Sequence, residues 1–342
     1  MANILILGAG SMGTAFSFPC SDNGHSVSIV GTHLENDFID QIKSSKKHPA
    51  LNCEISKNVT FTKFEKLQEE IDKKIDLVVV AVVSKGIEWA SVELSKVIKN
   101  NVPILILTKG LSINNNNYEV LAHKMERLLK KNGIKETNIS AAGGPCLAKE
   151  LANKAHTSVV FANIDINVVE QISKLVSTDY YHVSTSNDVI GVETCAAIKN
   201  IFSMAVGASQ GLCDSIKSKE KNHLNTAAAL IQESIYEMII FVEKLKGKKE
   251  TVIGLAGIGD LYVSADGGRN SKMGEYLGQG MKFQEAKKTK MPNITVEGAD
   301  LALEIGAKVK KDFDIKTLPL MISMINTICE EKSLKVDWKN FK

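Results

Sequence analysis

Short apolar runs alternate with helical patterns along the first half of the chain. Short runs of apolar and β-branched residues recur without polar alternation at residues 3–8, 26–31, 76–83, 102–108, 138–142 and 157–162. Such runs are typical of strands that are covered on both faces in a parallel sheet. Helical stretches separate them, and in residues 119–133 the stretch ends at Gly133, a natural C-terminal stop. The pattern predicts a doubly wound α/β domain with a mostly parallel sheet.

From Ser186 onward the pattern becomes helical. Apolar residues recur at helical spacing in four stretches, residues 186–212, 225–247, 297–311 and 317–332. We therefore predict a domain boundary near residue 188. The prediction is a dinucleotide-binding domain over residues 1–188 and an all-helical substrate domain over residues 189–342.

A glycine-rich turn follows the first predicted strand. The stretch "ILILGAGSMGTAF" places Gly8, Gly10 and Gly13 at the spacing G-x-G-x-x-G, between a strand and a helix, and a second strand follows. In the dinucleotide fingerprint these glycines permit the tight turn, the approach of a pyrophosphate and the packing of helix on strand. The helix N-terminus then offers amide donors to phosphate. The context predicts a Rossmann-type nucleotide site.

The end of the second strand leaves the choice of dinucleotide open. An acidic residue at this place would hold the 2′-hydroxyl of NAD, but the chain has Gly31, Thr32 and His33, and Glu35 comes late. Without the acid nothing excludes a 2′-phosphate, and His33 is placed to contact one. Both NAD(H) and NADP(H) remain candidate cofactors.

Lys199 is out of pattern on its predicted helix. The positions three, four and seven residues away are apolar or small: Val192, Cys195, Ala196, Phe202, Ser203 and Val206. Lysine is seldom buried without a partner, so either the ammonium snorkels to water or it is buried and paired. A buried lysine beside Asn200 suits a proton donor, because desolvation lowers the pKa of a lysine.

Composition narrows the class of protein. The 342 residues carry a net charge of only +3, and the densest lysine runs have no interleaved aromatic residues, so we expect no nucleic-acid partner. The six cysteines form no CxxC pair and no cluster at metal spacing, so we expect free thiols and no metal. With no signal segment and no apolar run of about 18 residues, we expect a cytoplasmic protein that does not span a membrane.

Taken together, six motifs resemble those of the NAD(P)-dependent glycerol-3-phosphate dehydrogenases, in the same order over nearly the whole chain. They are "GAGSMGTAF", "LTKGL", "GGPCLAKE", "VETCAAIKN", "GLAGIGDLYVSADGGRNSKMGEYLGQG" and "VEGA". The resemblance implies hydride transfer between NAD(P)H and carbon 2 of dihydroxyacetone phosphate, which forms glycerol 3-phosphate for lipid synthesis. A homodimer is a candidate assembly.

The resemblance also implies the roles of single residues. Lys199 would be the general acid in reduction and the base in oxidation, Asp260 would orient its ammonium, and Lys109 would complete the catalytic set. The implied substrate-binding residues are Lys109, Gly144, Cys146, Lys199, Asn200, Asp260, Ser264, Gly268, Arg269 and Asn270. The implied cofactor-binding residues are Gly8, Gly10, Ser11, Met12, Gly13, His33, Lys109, Ala148, Arg269 and Glu297.

Arg269 is one of only two arginines in the chain; the other is Arg127. A guanidinium meets two phosphate oxygens at once, whereas a lysine is a point charge. In a chain that uses lysine almost everywhere, an arginine behind Gly267 and Gly268 fits a need for this geometry. We expect Arg269 and Asn270 to hold phosphate oxygens of the substrate, the cofactor or both.

The chain departs from the family pattern in three places. Cys146 and Leu147 stand where the family has serine and phenylalanine. Glu233 stands where it has arginine, and a lysine-rich stretch at 214–223 precedes Glu233. The departures at Cys146 and Glu233 keep open a dehydrogenase of another small phosphorylated keto-polyol.

A second alternative is a non-catalytic NAD(P)-binding sensor. The retained residues Lys109, Lys199, Asp260 and Arg269 argue against the sensor.

Overall fold

The computed structural model describes residues 1–51, 53–99, 101–213 and 223–342. The chain divides into two compact units, Met1–Lys109 with Val120–Val192 and Gly110–Glu119 with Glu193–Lys342. The chain passes from the first unit to the second for the last time after Val192. This point is close to residue 188, but the domain boundary near residue 188 stays a prediction. The assignment of Gly110–Glu119 to the second unit has no counterpart in the sequence pattern. Most of the lysine-rich stretch at 214–223 lies outside the described residues.

The first unit is built on an eight-stranded sheet. In chain order the strands of the described residues are β1 (Asn3–Leu7), β2 (Ser26–Val30), β3 (Val59–Thr62), β4 (Leu77–Val80), β5 (Pro103–Ile106), β6 (Leu111–Asn114), β7 (Asn117–Val120), β8 (Asn138–Gly143), β9 (Thr157–Ala162) and β10 (Tyr181–Ser186). The sheet order is β10-β9-β8-β5-β4-β1-β2-β3, parallel except where β8 meets β9. The prediction of a mostly parallel doubly wound sheet is confirmed.

Four strands were not predicted, and burial explains why. The strands β3 and β10 lie at the two edges of the sheet, where exposed or half-buried positions interrupt the apolar run. The short β6 and β7 pair only with each other. Unbroken apolar runs indicate strands that are covered on both faces, such as β4, which is buried at every position.

The described residues also form fifteen α-helices. Those of the first unit are α1 (Ser11–Asp22), α2 (Asn36–Ser45), α3 (Leu67–Ile71), α4 (Ile87–Val97), α5 (Leu121–Lys131), α6 (Ala148–Ala152) and α7 (Ile166–Val176). The rest are α8 (Val189–Cys213), α9 (Leu224–Lys244), α10 (Lys249–Val252), α11 (Asp260–Ala265), α12 (Arg269–Gly278), α13 (Phe283–Thr289), α14 (Glu297–Asp312) and α15 (Pro319–Cys329). The prediction of a helical second half is confirmed.

The helix α8 is the core helix of the second unit. Cys195, Ile198, Ile201 and Phe202 are fully buried on it. Its segment Val189–Leu212 has the length and composition of a membrane span, but 89% of the apolar window is buried inside the protein. Among the described residues it is the one helix that passes this test, as core helices of globular domains also do.

Two buried carboxylates lie one turn apart on α9. Glu237 accepts hydrogen bonds from the backbone N–H groups of Leu320 (2.5 Å) and Met321 (2.8 Å), so it satisfies free amides in the first turn of α15. Glu233, which replaces the family arginine, accepts from the backbone N–H of Lys342 (3.0 Å). Burial raises the pKa of Glu237 to about 8, and the charge of Glu233 adds to this rise.

This pKa predicts a pH-dependent stability. The unfolded chain releases the Glu237 proton near the ordinary value of 4.5, whereas the native state holds it to about 8. The stability that this group contributes is therefore complete below about pH 4.5 and is lost as pH rises through about 8. We expect the free energy of unfolding, measured by urea titration, to fall across this range.

Glu237→Gln should flatten the pH dependence, even if the weaker cap lowers the absolute stability. Glu243→Gln removes an exposed carboxylate from the same helix and is the matched control. An unchanged pH slope in Glu237→Gln would assign the effect to another group.

Candidate active site

The ammonium of Lys199 lies inside the second unit. The residue is 6% exposed, and its Nζ donates to a carboxylate oxygen of Asp260 and to Ser264 Oγ, the latter at 2.5 Å. Asp260 is itself 1% exposed. Of the two interpretations left open by the sequence, the structure shows the buried and paired lysine. A buried charge of this kind is stable only with such a partner.

The helix α11 presents both partners of Lys199. Asp260 is its first residue and Ser264 comes four residues later, so the two side chains share one face. The π-helical turn Leu255–Gly259 precedes α11. In this turn a side chain at Gly257 would collide with the backbone carbonyl of Val252. Gly257 is thus required by the close packing of the turn that places Asp260.

Beside the ion pair, three residues form a chain of hydrogen bonds. Asn270 Nδ2 donates to Asn200 Oδ1 (3.0 Å), and Asn270 Oδ1 accepts from the backbone N–H of Gly298 (2.9 Å). Asn270 is 7% exposed. Its amide therefore orients Asn200 and satisfies an amide in the first turn of α14. The expected contact of Asn270 with phosphate stays a prediction.

Arg269 is the first residue of α12 and forms an ion pair with Glu297, the first residue of α14. Both side chains are open to solvent, at 58% and 39% exposure. The turn before Arg269 contains Gly267 at φ +79°, which favours glycine. The sequence placed both residues at the site but did not reveal that they pair. A phosphate that binds Arg269 must compete with Glu297 for the guanidinium.

Four glycines bring α12 against α8. On each helix two glycines are four residues apart, and a side chain at any of them would collide with the backbone of the opposite helix: Gly207, Gly211, Gly274 and Gly278. The two backbones therefore approach more closely than side chains would allow. This contact sets the position of Arg269 and Asn270 relative to Lys199 and Asn200.

The nucleotide turn of the first unit has the geometry of the fingerprint. Gly8 has φ +112°, and a Cβ there would lie 2.7 Å from the carbonyl oxygen of Ala81. A side chain at Gly13 would collide with the carbonyl of Gly8, so α1 packs closely on the turn. A Cβ at Gly10 would meet no atom within 4 Å, and this glycine caps α1 with its backbone alone, ahead of Ser11 and Met12. This open, amide-lined turn fits a dinucleotide pyrophosphate.

The acidic residue nearest the end of β2, Glu35, lies closer to the nucleotide turn than its position in the sequence indicated. Glu35, which comes late in the sequence, folds back so that Oε2 accepts from the backbone N–H groups of Ala9 (3.2 Å) and Thr32 (2.7 Å). The structure thus places a carboxylate between the ends of β1 and β2, where the sequence pattern predicted none, while both NAD(H) and NADP(H) remain candidate cofactors. The exposed His33 instead has its ring centroid 5.1 Å from that of Trp89. The signal for this contact in the sequence is an acidic residue that follows β2 after a longer loop.

The remaining predicted residues of the first unit lie near the end of β8. Lys109 Nζ donates to the carbonyl of Gly144 (3.3 Å), which has φ +101°. Cys146 is half-buried, and Ala148 begins α6. Within the described ranges no group of three or more His, Cys, Asp or Glu side chains is placed to hold a metal.

The close approach of α8 and α12 generates a prediction. In Gly274→Ala the new methyl group would collide with the backbone carbonyl of Met204, so the helices must separate. We expect a lower melting temperature and a loss of any activity that depends on Asn200 and Asn270. Gly254→Ala is the control, because its Cβ would meet only ordinary contacts of 3.4 Å or more. Equal melting temperatures for the two variants would contradict the role given to this contact.

The chain matches known proteins over both halves. The family model described as NAD-dependent glycerol-3-phosphate dehydrogenase N-terminus matches residues 3–169, and the model for the C-terminus of the same family matches residues 188–337. An NADP(+)-dependent glycerol-3-phosphate dehydrogenase of Archaeoglobus fulgidus is 31% identical over 90% of this chain and 91% of its own length. A glycerol-3-phosphate dehydrogenase [NAD(P)+] of Francisella tularensis is 32% identical over 90% and 88%.

A solved structure gives the same result. The crystal structure of glycerol-3-phosphate dehydrogenase from Coxiella burnetii superposes with a TM-score of 0.81 at 25% identity, covering 97% of this chain and 96% of that one. Together with the two family models, which cover both halves of the sequence, these matches show that the chain belongs to the NAD-dependent glycerol-3-phosphate dehydrogenase family.

Proposed function

We propose that this chain transfers hydride between NAD(P)H and carbon 2 of dihydroxyacetone phosphate, forming sn-glycerol 3-phosphate, and that it catalyses the reverse reaction. One observation carries the proposal: a buried lysine that is held by a buried aspartate and a serine. A protein that only binds nucleotide has no need of this ammonium. The family assignment supports the same reaction.

Lys199 is the proton donor in this proposal. The glycine turn would hold the dinucleotide through its pyrophosphate, and the bound cofactor would supply the hydride that carbon 2 accepts. As the carbonyl oxygen becomes an alkoxide, Lys199 gives it a proton from Nζ, and in the reverse direction the neutral amine takes the proton back. Asp260 and Ser264, on one face of α11, both accept hydrogen bonds from Nζ and hold it in position. A proton donor held in this way costs little reorganisation during the reaction.

Arg269 is the anion-binding group of the second unit in this proposal. Its exposed guanidinium at the start of α12 would leave Glu297 and form two parallel hydrogen bonds to phosphate oxygens. The backbone N–H groups at the N-terminus of α12, which follow Gly267 and Gly268, carry a partial positive charge that would also attract the phosphate. Lys109, Gly144, Cys146 and Ala148 keep the substrate and cofactor roles that the resemblance implies.

We also infer a cytoplasmic location, a homodimeric assembly and a role in supplying glycerol 3-phosphate for glycerophospholipid synthesis. The similarity to glycerol-3-phosphate dehydrogenases supports the small-molecule substrate and is consistent with these finer assignments.

The test is oxidation of NADH and NADPH, followed by absorbance, with dihydroxyacetone phosphate as substrate. We expect turnover with the wild-type chain and its loss in Lys199→Ala, by about a hundredfold or more because the proton donor is gone. Dinucleotide binding should persist in this variant. Lys311→Ala, which removes an exposed lysine from α14, is the control.

A normal kcat in Lys199→Ala would remove the lysine from the mechanism. If the wild-type chain binds dinucleotide but turns over other phosphorylated ketoses and not this one, the substrate assignment fails while the enzyme class stands.

Arg269→Lys tests the forked contact with phosphate. The charge is kept but the second hydrogen bond is lost, so we expect kcat/KM for dihydroxyacetone phosphate to fall about tenfold or more. Arg127→Lys changes the only other arginine in the same way and should leave kcat/KM unchanged. Parental kinetics in Arg269→Lys would show that charge alone suffices.

A further inference from the structure

Glu35 occupies the edge of the sheet where β1 and β2 end. Its Oε2 accepts from the backbone N–H of Ala9, inside the glycine turn, and from that of Thr32, just after β2. The side chain therefore bridges the ends of two neighbouring parallel strands. In nucleotide-binding sheets of this type the adenosine ribose lies over this edge when the pyrophosphate rests on the first helix.

The carboxylate has acceptor capacity left for a ligand. Both backbone contacts use Oε2, and within the part of the chain that the structure describes Oε1 accepts no hydrogen bond. The side chain is half-buried, so one side stays accessible. A ribose that carries free 2′- and 3′-hydroxyl groups offers the donors that such an oxygen accepts.

Among the described residues around the end of β2, we find no cation placed to meet a 2′-phosphate. Residues 31–35 contain no lysine or arginine. His33 has its ring against Trp89, and Lys63, which follows β3, is bonded to Asp40 at 2.6 Å. His48 is buried, and its Nδ1 accepts from the amides of Ala50 and Leu51. Burial lowers the pKa of His48 and outweighs the opposite effects of a hydrogen bond with the backbone of Ala9 and of the Glu35 charge, so the neutral imidazole is favoured. The charged group at Ala9 is thus the Glu35 carboxylate.

We propose that Glu35 is a specificity-determining residue that makes this chain bind NAD(H) in preference to NADP(H). It accepts hydrogen bonds from the adenosine ribose hydroxyls, and its charge repels a 2′-phosphate at the same place. The proposal rests on the dinucleotide site of the proposed function. The names of the relatives do not decide it, since they include both NADP(+) and NAD(P)+.

The experiment measures dissociation constants of NADH and NADPH for the full chain by nicotinamide fluorescence, with no substrate present. We expect the wild-type chain to bind NADH about tenfold or more tightly than NADPH, because like charges oppose the 2′-phosphate. Glu35→Gln keeps an oxygen for the amides of Ala9 and Thr32 but removes the charge. In this variant we expect the dissociation constant for NADPH to fall about tenfold and that for NADH to stay within a fewfold.

Asp37→Asn is the matched control, since it removes one negative charge two residues away from an exposed position in the first turn of α2. Its ratio of dissociation constants should equal that of the wild-type chain. The proposal is overturned if the wild-type chain binds NADPH as tightly as NADH, or if Glu35→Gln shifts the ratio no more than Asp37→Asn does.

Because binding is measured without turnover, a chain that binds NADH but reduces no ketose phosphate leaves this proposal standing and overturns only the proposed reaction. A chain that binds neither dinucleotide overturns both. If Glu35→Gln does not fold, the wild-type ratio alone decides.

Discussion

A lysine ammonium inside a helical core requires an anion beside it, because the free-energy cost of removing it from water otherwise exceeds what packing returns. In this protein Asp260 meets that requirement, and much of the second unit is arranged to deliver it to Lys199. The helix α8 carries Lys199 among fully buried apolar residues, while a π-helical turn brings α11 in with Asp260 at its first position. In the proposed reaction, the contact that stabilises this charge also holds the proton donor in place.

Close helix packing extends this arrangement to the residues around it. Glycines on α8 and α12 remove the side chains that would keep the helices apart, and Gly298 lets the start of α14 approach Asn200 in the same way. Two helix N-termini, those of α12 and α14, therefore lie beside Asn200 and Asn270. Arg269 and Glu297 begin these helices, and their ion pair is the exposed end of the network.

In the first unit, contacts between a side chain and the backbone stabilise the nucleotide turn. Its glycine turn needs an open face for a pyrophosphate, so it cannot be stabilised by side chains of its own at Gly8 or Gly10. Glu35 supports the turn from outside through the amide of Ala9. In our proposal the same carboxylate also selects the ligand, so the side chain that supports the turn bears on the choice between NAD(H) and NADP(H).

The sequence by itself determined the fold class, the buried strands and long helices, and the set of motifs, because apolar periodicity and glycine spacing are local properties of the chain. It also marked Lys199 and Arg269, whose residue types contradict their surroundings. Only the tertiary structure decided that Lys199 is buried rather than snorkelling, that Arg269 pairs with Glu297, and that Glu35 reaches Ala9. Each of these contacts joins residues separated by 26 or more positions, and the packing of distant elements, which no local pattern encodes, brings them together.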